Sequence, residues 1–338
     1  MNILVTGGAG FIGSNFIRYV MKDSEDHFIV NLDKLTYAGN LENLSDIEKE
    51  FLDRYVFVLG DICDESVVQR VLSDHKIDVI INFAAETHVD RSIIESGVFI
   101  ETNIIGTKTL LDAALKNSTS LFMQISTDEV YGSLESSGKF TEDSRISPNS
   151  PYAASKAAAD HFVRAYNKTY DLPCIITRCS NNYGPYQFPE KLIPLLISNA
   201  LQNKELPIYG DGKNIRDWIH VDDHSNAVLT VLMKGKTGEV YNIGGDCEKE
   251  NISIAEEIVK ITGRSGDLIK FVKDRPGHDR RYAMDFAKMK NELNWSPSIS
   301  FNKGLIDTVN WYTNNSQWVD NVKTQEYLKY YDLNYGNR

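Results

Sequence analysis

The sequence predicts an α/β protein: a doubly wound parallel sheet followed by a smaller mixed α/β domain. Three observations carry that prediction. Short β-type runs alternate with helical stretches through the first half of the chain. One run, DVIINFAA (78–85), is apolar without alternation, as a strand buried on both faces requires. A glycine-rich turn, TGGAGFIG (6–13), separates the first strand from the first helix.

The elements follow in order. NILVTG (2–7) is a short strand, and SNFIRYVMKD (14–23) places Phe16, Ile17, Val20 and Met21 on one helical face. FIVNLD (28–33) and YVFVLGD (55–61) are strands, and ESVVQRVLSDH (65–75) is a helix. After the 78–85 strand come a helix over roughly 98–116 and a strand, SLFMQIS (120–126). An Ala-rich helix (152–170) and the strand CIITRCS (174–180) close the alternation. Beyond 180 the rhythm breaks in NNYGPYQFPEKLIP, with later turns at YGDGKN and RPGHDR. The predicted division is a cofactor domain at 1–180 and a discontinuous substrate domain at 181–338. A segment near 213–240 is expected to return to the first domain.

Gly7, Gly10 and Gly13 have distinct physical uses. The first permits a tight turn, the second lets a diphosphate approach the backbone, and the third allows close helix–strand packing. The helix N-terminus behind them offers free N–H groups and the positive end of a dipole. Strand, turn and helix in this order make the sheet Rossmann-type and NAD the expected cofactor. Asp33 closes the second strand about twenty residues on, where an acid takes the ribose hydroxyls and repels a 2′-phosphate. Asp61, at the end of the third strand, is placed near the adenine.

Composition narrows the class. The chain has 338 residues, 42% hydrophobic and 25% charged, with a formal net charge of −11. That is an ordinary globular balance, and its acidity argues against coating nucleic acid. Cys63, Cys174, Cys179 and Cys247 show no zinc spacing and point to a reducing compartment. No metal is expected, and His220 and His224 are assigned structural roles. The start lacks a signal-peptide pattern, and no apolar run is long enough to span a bilayer. A cytoplasmic protein is therefore expected, without membrane or nucleic-acid partners.

Two further motifs carry chemistry. Tyr152 and Lys156 are four apart on the Ala-rich helix and share a face. A lysine beside a tyrosine lowers the phenol pKa and makes a base for a sugar hydroxyl. ISTDE (125–129) ends a core strand with a hydroxyl and two carboxylates. Read alone, Asp128 and Glu129 fit a solvated, capped loop about as well as an acid–base pair.

Taken together, the TGGAGFIG turn, the ISTDE strand end and Tyr152-x-x-x-Lys156 resemble the extended short-chain dehydrogenase/reductase family. HVDRSI (88–93), NNYGPYQFPEKLIPL (181–195), PIYGDGKNIRDWIHVDDH (207–224) and DRPGHDRRYAMD (274–285) are similar to its nucleotide-sugar dehydratases. The resemblance implies catalytic roles for Thr127, Asp128, Glu129, Tyr152 and Lys156. Thr127 would bind the substrate hydroxyl, Glu129 would take the C5 proton, and Asp128, protonated and partly buried, would serve the C6 hydroxyl. Phe11, Ile12, Lys34, Thr36, Ile62 and Ala84 join Gly7, Gly10, Gly13, Asp33, Asp61, Tyr152 and Lys156 as NAD contacts. Thr87, Asn181, Lys191, Pro207, Tyr209, Arg216, Asn251, Arg275 and His278 would hold the nucleotide sugar. Arg216 and Arg275 suit a diphosphate, although Asp217 or Asp274 alongside makes surface ion pairs an alternative. The family is usually homodimeric and feeds deoxysugar biosynthesis, for example of rhamnose. The residues leave open another nucleotide-sugar dehydratase or an epimerase, and a non-catalytic NAD-binding regulator. Thymine and uracil differ by one methyl, so the base is not readable from physics alone.

Overall fold

The computed structural model describes residues 1–323; the end of the expected second domain, 324–338, lies outside the described residues. The chain opens with β1 (Asn2–Thr6), α1 (Phe11–Asp23) and β2 (Phe28–Asp33). It continues through α2 (Ser45–Glu50), β3 (Tyr55–Leu59), α3 (Glu65–Asp74) and β4 (Val79–Asn82). Then come α4 (Val89–Ile94), α5 (Gly97–Phe99) and α6 (Thr107–Lys116), and after them β5 (Leu121–Thr127), α7 (Pro151–Tyr170) and β6 (Cys174–Cys179). The helix expected over 98–116 contains a π-helical stretch, Ile100–Gly106, between α5 and α6. The strand expected over 78–85 stops at Asn82, and Phe83, Ala84 and Ala85 leave the sheet to line a cavity.

The later chain gives β7 (Asn181–Tyr183), α8 (Leu192–Leu201), β8 (Leu206–Tyr209), β9 (Ile215–His220), α9 (Val221–Lys234) and β10 (Val240–Ile243). It ends with β11 (Glu248–Glu250), α10 (Asn251–Thr262), β12 (Ile269–Val272), α11 (Ala287–Leu293), α12 (Phe301–Asn314) and α13 (Ser316–Val322).

Seven strands form one parallel sheet in the order β10-β6-β5-β4-β1-β2-β3. The order reverses between β4 and β1, which opens a crevice at the carboxyl ends of the strands. Alternate residues of β1 serve opposite faces. Ile3 and Val5 join Phe16 and Ile17 of α1, whereas Leu4 joins Val68 of α3 and Leu110 of α6. α9 packs on α1, and β10 pairs with β6 at the sheet edge.

The other body holds a three-stranded sheet, β11-β9-β7, and the pair β12-β8. Its core joins Ile193 and Leu196 of α8, Trp218 of β9, Ile254 and Ile258 of α10, and Leu305 of α12. Among the described residues no helix is long and apolar enough to cross a membrane.

Candidate active site

The crevice holds a cavity of about 300 Å³ that reaches from the glycine turn to β7. Nineteen of the residues predicted for cofactor, chemistry or substrate line it together. They are Gly7, Gly10, Phe11, Ile12, Gly13, Asp33, Lys34, Thr36, Asp61, Ile62, Ala84, Thr87, Thr127, Asp128, Glu129, Tyr152, Lys156, Asn181 and Lys191.

The glycine end suits a dinucleotide. Gly7 has φ +67°, and a Cβ there would stand 2.6 Å from the backbone of Ala84. A Cβ on Gly13 would stand 2.5 Å from the Gly7 carbonyl oxygen, so this glycine sets the helix against the turn. Gly10 lines the cavity and caps α1 with no side-chain hydrogen bond. A methyl there would meet only the Gly7 carbonyl, at 3.3 Å, and would otherwise fill the cavity. The α1 N-terminus thus has no side-chain cap and no acidic residue in its first turn, as an anion site requires.

Asp33 is held rigidly at the next wall. Its Oδ2 accepts from the Ala9 N–H (2.9 Å) and its Oδ1 from the Leu35 N–H (2.8 Å). Burial nevertheless raises its pKa. Lys34 pairs with Asp61 at 2.6 Å, so the lysine beside Asp33 is engaged by the second acid. Asp61 also accepts from the Cys63 N–H (2.9 Å).

At the other end β5 delivers Thr127 and a 3-10 turn, Asp128–Tyr131, carries both acids. Asp128 is 2% exposed, so its burial is nearly complete rather than partial. The Thr127 hydroxyl donates to its Oδ1 (3.1 Å), and its Oδ2 is buried without a hydrogen-bond partner. Burial, then the Glu129 charge, push its pKa well above the usual carboxylate range. Glu129 is also raised by burial, against the pull of Arg275, Arg216 and Lys191. Adjacent acids with upward-shifted proton affinities are what general acid–base work needs, and a solvated loop does not fit them.

Tyr152 and Lys156 project from the first turns of α7, whose N-cap Ser150 accepts from the Ala153 N–H. Both are buried, and Thr127 lies near enough to the Tyr152 phenol to act on its proton. The expected depression of the phenol pKa is not present in the protein itself. Burial, then Glu129, raise it well above its ordinary value. The reason is geometric: the Lys156 ammonium donates to the Ile125 carbonyl (2.7 Å), and burial lowers its own pKa.

Six predicted substrate residues do not line this cavity, although the charges of Arg216 and Arg275 reach Glu129 on its wall. Arg275 Nη1 donates to Asp90 Oδ1 (3.1 Å), and the Tyr209 hydroxyl donates to Asp90 Oδ2 (3.0 Å). Asp274, the alternative partner for Arg275, instead binds His278 Nδ1 at 2.6 Å. Arg216 is buried over the Tyr282 ring and donates to the Asp279 carbonyl, while Asp217 accepts from the Gly245 and Cys247 amides. Pro207 lies two residues before Tyr209 on β8, and Asn251 opens α10 with its Oδ1 buried and without a hydrogen-bond partner. Sequence reasoning did not find Glu190. It lines the cavity, accepts from the Tyr37 hydroxyl (3.0 Å) and lies 3.7 Å from His88 and 3.8 Å from Arg91. Its adjacency to Lys191 was the one available signal. His220 caps α9 and His224 is fully buried, its pKa pushed down to about 3. Among the described residues no group of His, Cys, Asp and Glu could hold a metal ion.

A Rossmann-type sheet with a dinucleotide turn, a Tyr–Lys helix and two adjacent acids at one cavity defines a nucleotide-sugar-modifying short-chain dehydrogenase/reductase. Residues 4–308 match the model of the GDP-mannose 4,6 dehydratase family, and the chain belongs to that family. It is 50% identical to the dTDP-glucose 4,6-dehydratase of Shigella flexneri, with the whole of both chains covered. The crystal structure of dTDP-glucose 4,6-dehydratase from Bacillus anthracis in complex with NAD superposes with a TM-score of 0.90. That pair shares 51% identity, covering 96% of this chain and 100% of the other. The Streptomyces venezuelae enzyme of the same name gives a TM-score of 0.92 at 48% identity, covering 96% and 100%.

Proposed function

We propose that this protein is a dTDP-glucose 4,6-dehydratase, a hydro-lyase working with a tightly held NAD. One observation carries the reading beyond fold: Asp128, buried, and Glu129, partly buried, share a turn that lines the cavity with Tyr152, and burial raises the pKa of both, which favours Asp128 as acid and strengthens Glu129 as base. An epimerase needs only the Tyr–Lys pair and room for its keto sugar to rotate. The full-length likeness to named dehydratases supports the same choice and disfavours an epimerase. A non-catalytic regulator has no use for this acid pair.

NAD would lie along the glycine turn, with Asp33 at its ribose, and would accept hydride from C4 of the hexose and return it to C6. The chain's residues handle the protons. Tyr152 takes the C4 hydroxyl proton with Thr127 beside it. In the protein alone burial holds the phenol's proton and Lys156 lies on the Ile125 carbonyl, so the positive nicotinamide of bound NAD, with Lys156 turned from that carbonyl toward the phenol, would supply the activation. The C4 ketone acidifies the C5 hydrogen, which Glu129 removes as a proton and gives back to C5 when hydride enters C6. Asp128, kept protonated by burial, donates to the departing C6 hydroxyl. The product is dTDP-4-keto-6-deoxyglucose, a precursor type for deoxysugars such as rhamnose.

The assigned substrate residues support a nucleotide beside the cavity. Arg216, Arg275 and Lys191 make a cationic wall felt at Glu129, suited to a diphosphate. Pro207 and Tyr209 would flank the base, with Asn181, Asn251, Thr87 and His278 as polar contacts. In this reading β1 to β6, with α9 and β10, serve the cofactor, and the remaining elements serve the nucleotide sugar. We also propose a cytoplasmic homodimer. Ile94, Ile100 and Ile105 of the α4–α6 stretch and Phe162 of α7 are exposed on helices that pack together, and a second copy would cover them.

The test is incubation of the NAD-loaded protein with dTDP-glucose or UDP-glucose, followed by mass spectrometry. Loss of one water from dTDP-glucose is expected. No loss from either sugar overturns the assignment.

A further inference from the structure

Four buried polar side chains stand outside the chemistry assigned above and form one connected chain. Arg178 of β6 donates from Nε to Asp160 Oδ2 (2.9 Å) and from Nη1 to the Tyr131 hydroxyl (2.9 Å). The Tyr131 hydroxyl donates in turn to Asn242 Oδ1 (2.8 Å). All four are 5% exposed or less. The guanidinium also lies over the Tyr131 ring, 4.9 Å from its centroid.

The ends of this chain sit on the two halves of the proposed chemistry. Asp160 lies one turn beyond Lys156 on α7, near enough for its charge to act on the ammonium. Tyr131 closes the turn that carries Asp128 and Glu129, where the Gly132 N–H donates to the Glu129 carbonyl (3.2 Å). The connecting loop is fixed at the same point: Phe140 stacks on Tyr131, and its carbonyl accepts from Asn242 Nδ2. A buried ion pair is weak support for stability, since well-packed apolar groups serve as well. What a guanidinium adds is geometry, because its planar fork fixes two partners at once.

We propose that Arg178 is a positioning residue for dehydration, holding the Asp128–Glu129 turn at a set distance from the Tyr152–Lys156 helix. It touches neither substrate nor cofactor. Without it Tyr152 still meets the C4 hydroxyl, but Glu129 no longer meets C5 in register. The proposal rests on the dehydratase reading given above.

Tyr131→Phe removes one hydroxyl from the chain and tests it in the NAD-loaded, full-length protein. A misplacement of an ångström or less is expected to lower kcat about tenfold while KM stays within about twofold. With dTDP-glucose deuterated at C5, the isotope effect on kcat should rise, because proton removal there becomes limiting. With deuterium at C4 it should not rise. Independently of turnover, amide hydrogen exchange at Glu129–Gly132 should quicken while that of the α7 interior holds. Arg178→Lys should show the same pattern, since an ammonium cannot fork, and it carries the test if Tyr131→Phe does not fold. An unchanged C5 isotope effect, whatever the loss in kcat, overturns the proposal, as does unchanged exchange in the turn. Failure of the unsubstituted protein to dehydrate dTDP-glucose would reject the dehydratase reading instead, and the exchange measurement would still judge the positioning role.

Discussion

Asp128→Asn should make the protein more stable and nearly inactive at once. The amide keeps the shape of the side chain and removes its charge. In the folded chain burial, then Glu129, raise the carboxyl's pKa. A group whose proton affinity rises on folding destabilises the fold above its unfolded pKa, here about 3.9, and costs nothing below it. Each tenfold rise in affinity costs about 1.4 kcal/mol at pH values above the folded pKa. Unfolding entropy near 2.1 cal/mol/K per residue gives about 0.7 kcal/mol/K for a chain this long. Each such factor therefore translates to roughly 2 °C in Tm. Melting curves at pH 8 should place Asp128→Asn above the parent by at least that much, and curves near pH 4 should converge. Turnover should fall about 10²- to 10⁴-fold, the contribution of a positioned acid, which is about 3–5 kcal/mol of barrier. A variant melting at or below the parent at pH 8 would refute the claim that the fold holds this carboxyl up. Undiminished turnover would refute its role as acid.

Glu129→Gln should abolish solvent-hydrogen exchange at C5, read by NMR in D₂O, and lower water loss about 10²- to 10⁴-fold. Tyr152→Phe should depress the C4 oxidation itself by a similar factor, so that single-turnover oxidation as well as net turnover is lost. Gly13→Ala would press a methyl to 2.5 Å from the Gly7 carbonyl oxygen. About 1–3 kcal/mol of stability should go, together with most of the co-purifying NAD, measured by absorbance of the denatured supernatant. Lys34→Ala breaks a pair whose lysine is half exposed, so it should cost no more than about 1 kcal/mol by chemical denaturation.

Local patterns foretold most of the sheet, because apolar runs and the glycine turn are local statements. FIVNLD gives β2 with its predicted bounds, and Pro151–Tyr170 differs from the expected helix by one residue. The π-helical stretch was not legible, since the same apolar spacing serves an α-helix. There Asn103 bonds both Glu86 backbone groups and the Ser155 hydroxyl, partners far apart in sequence. Likewise Asp90, not the neighbouring Asp274, takes the Arg275 guanidinium, a pairing across 185 positions that adjacency cannot suggest. The Tyr–Lys spacing was legible, but its electrostatics were not. Whether Lys156 faces the phenol or the Ile125 carbonyl depends on how β5 lies against α7.

The route of the chain through α9 and β10 limits how this protein can be divided. The chain leaves the large sheet after β6, comes back at residue 240 to lay β10 along that strand, and departs again at β11. Cutting near 180 would therefore not release a self-sufficient cofactor module. It would strip β6 of its outer neighbour, leave an unpaired hydrogen-bonding edge, and uncover the side of α1 on which α9 packs. Chimeras that exchange the smaller body between relatives should keep α9 and β10 with the first piece, and their junctions belong on either side of that excursion.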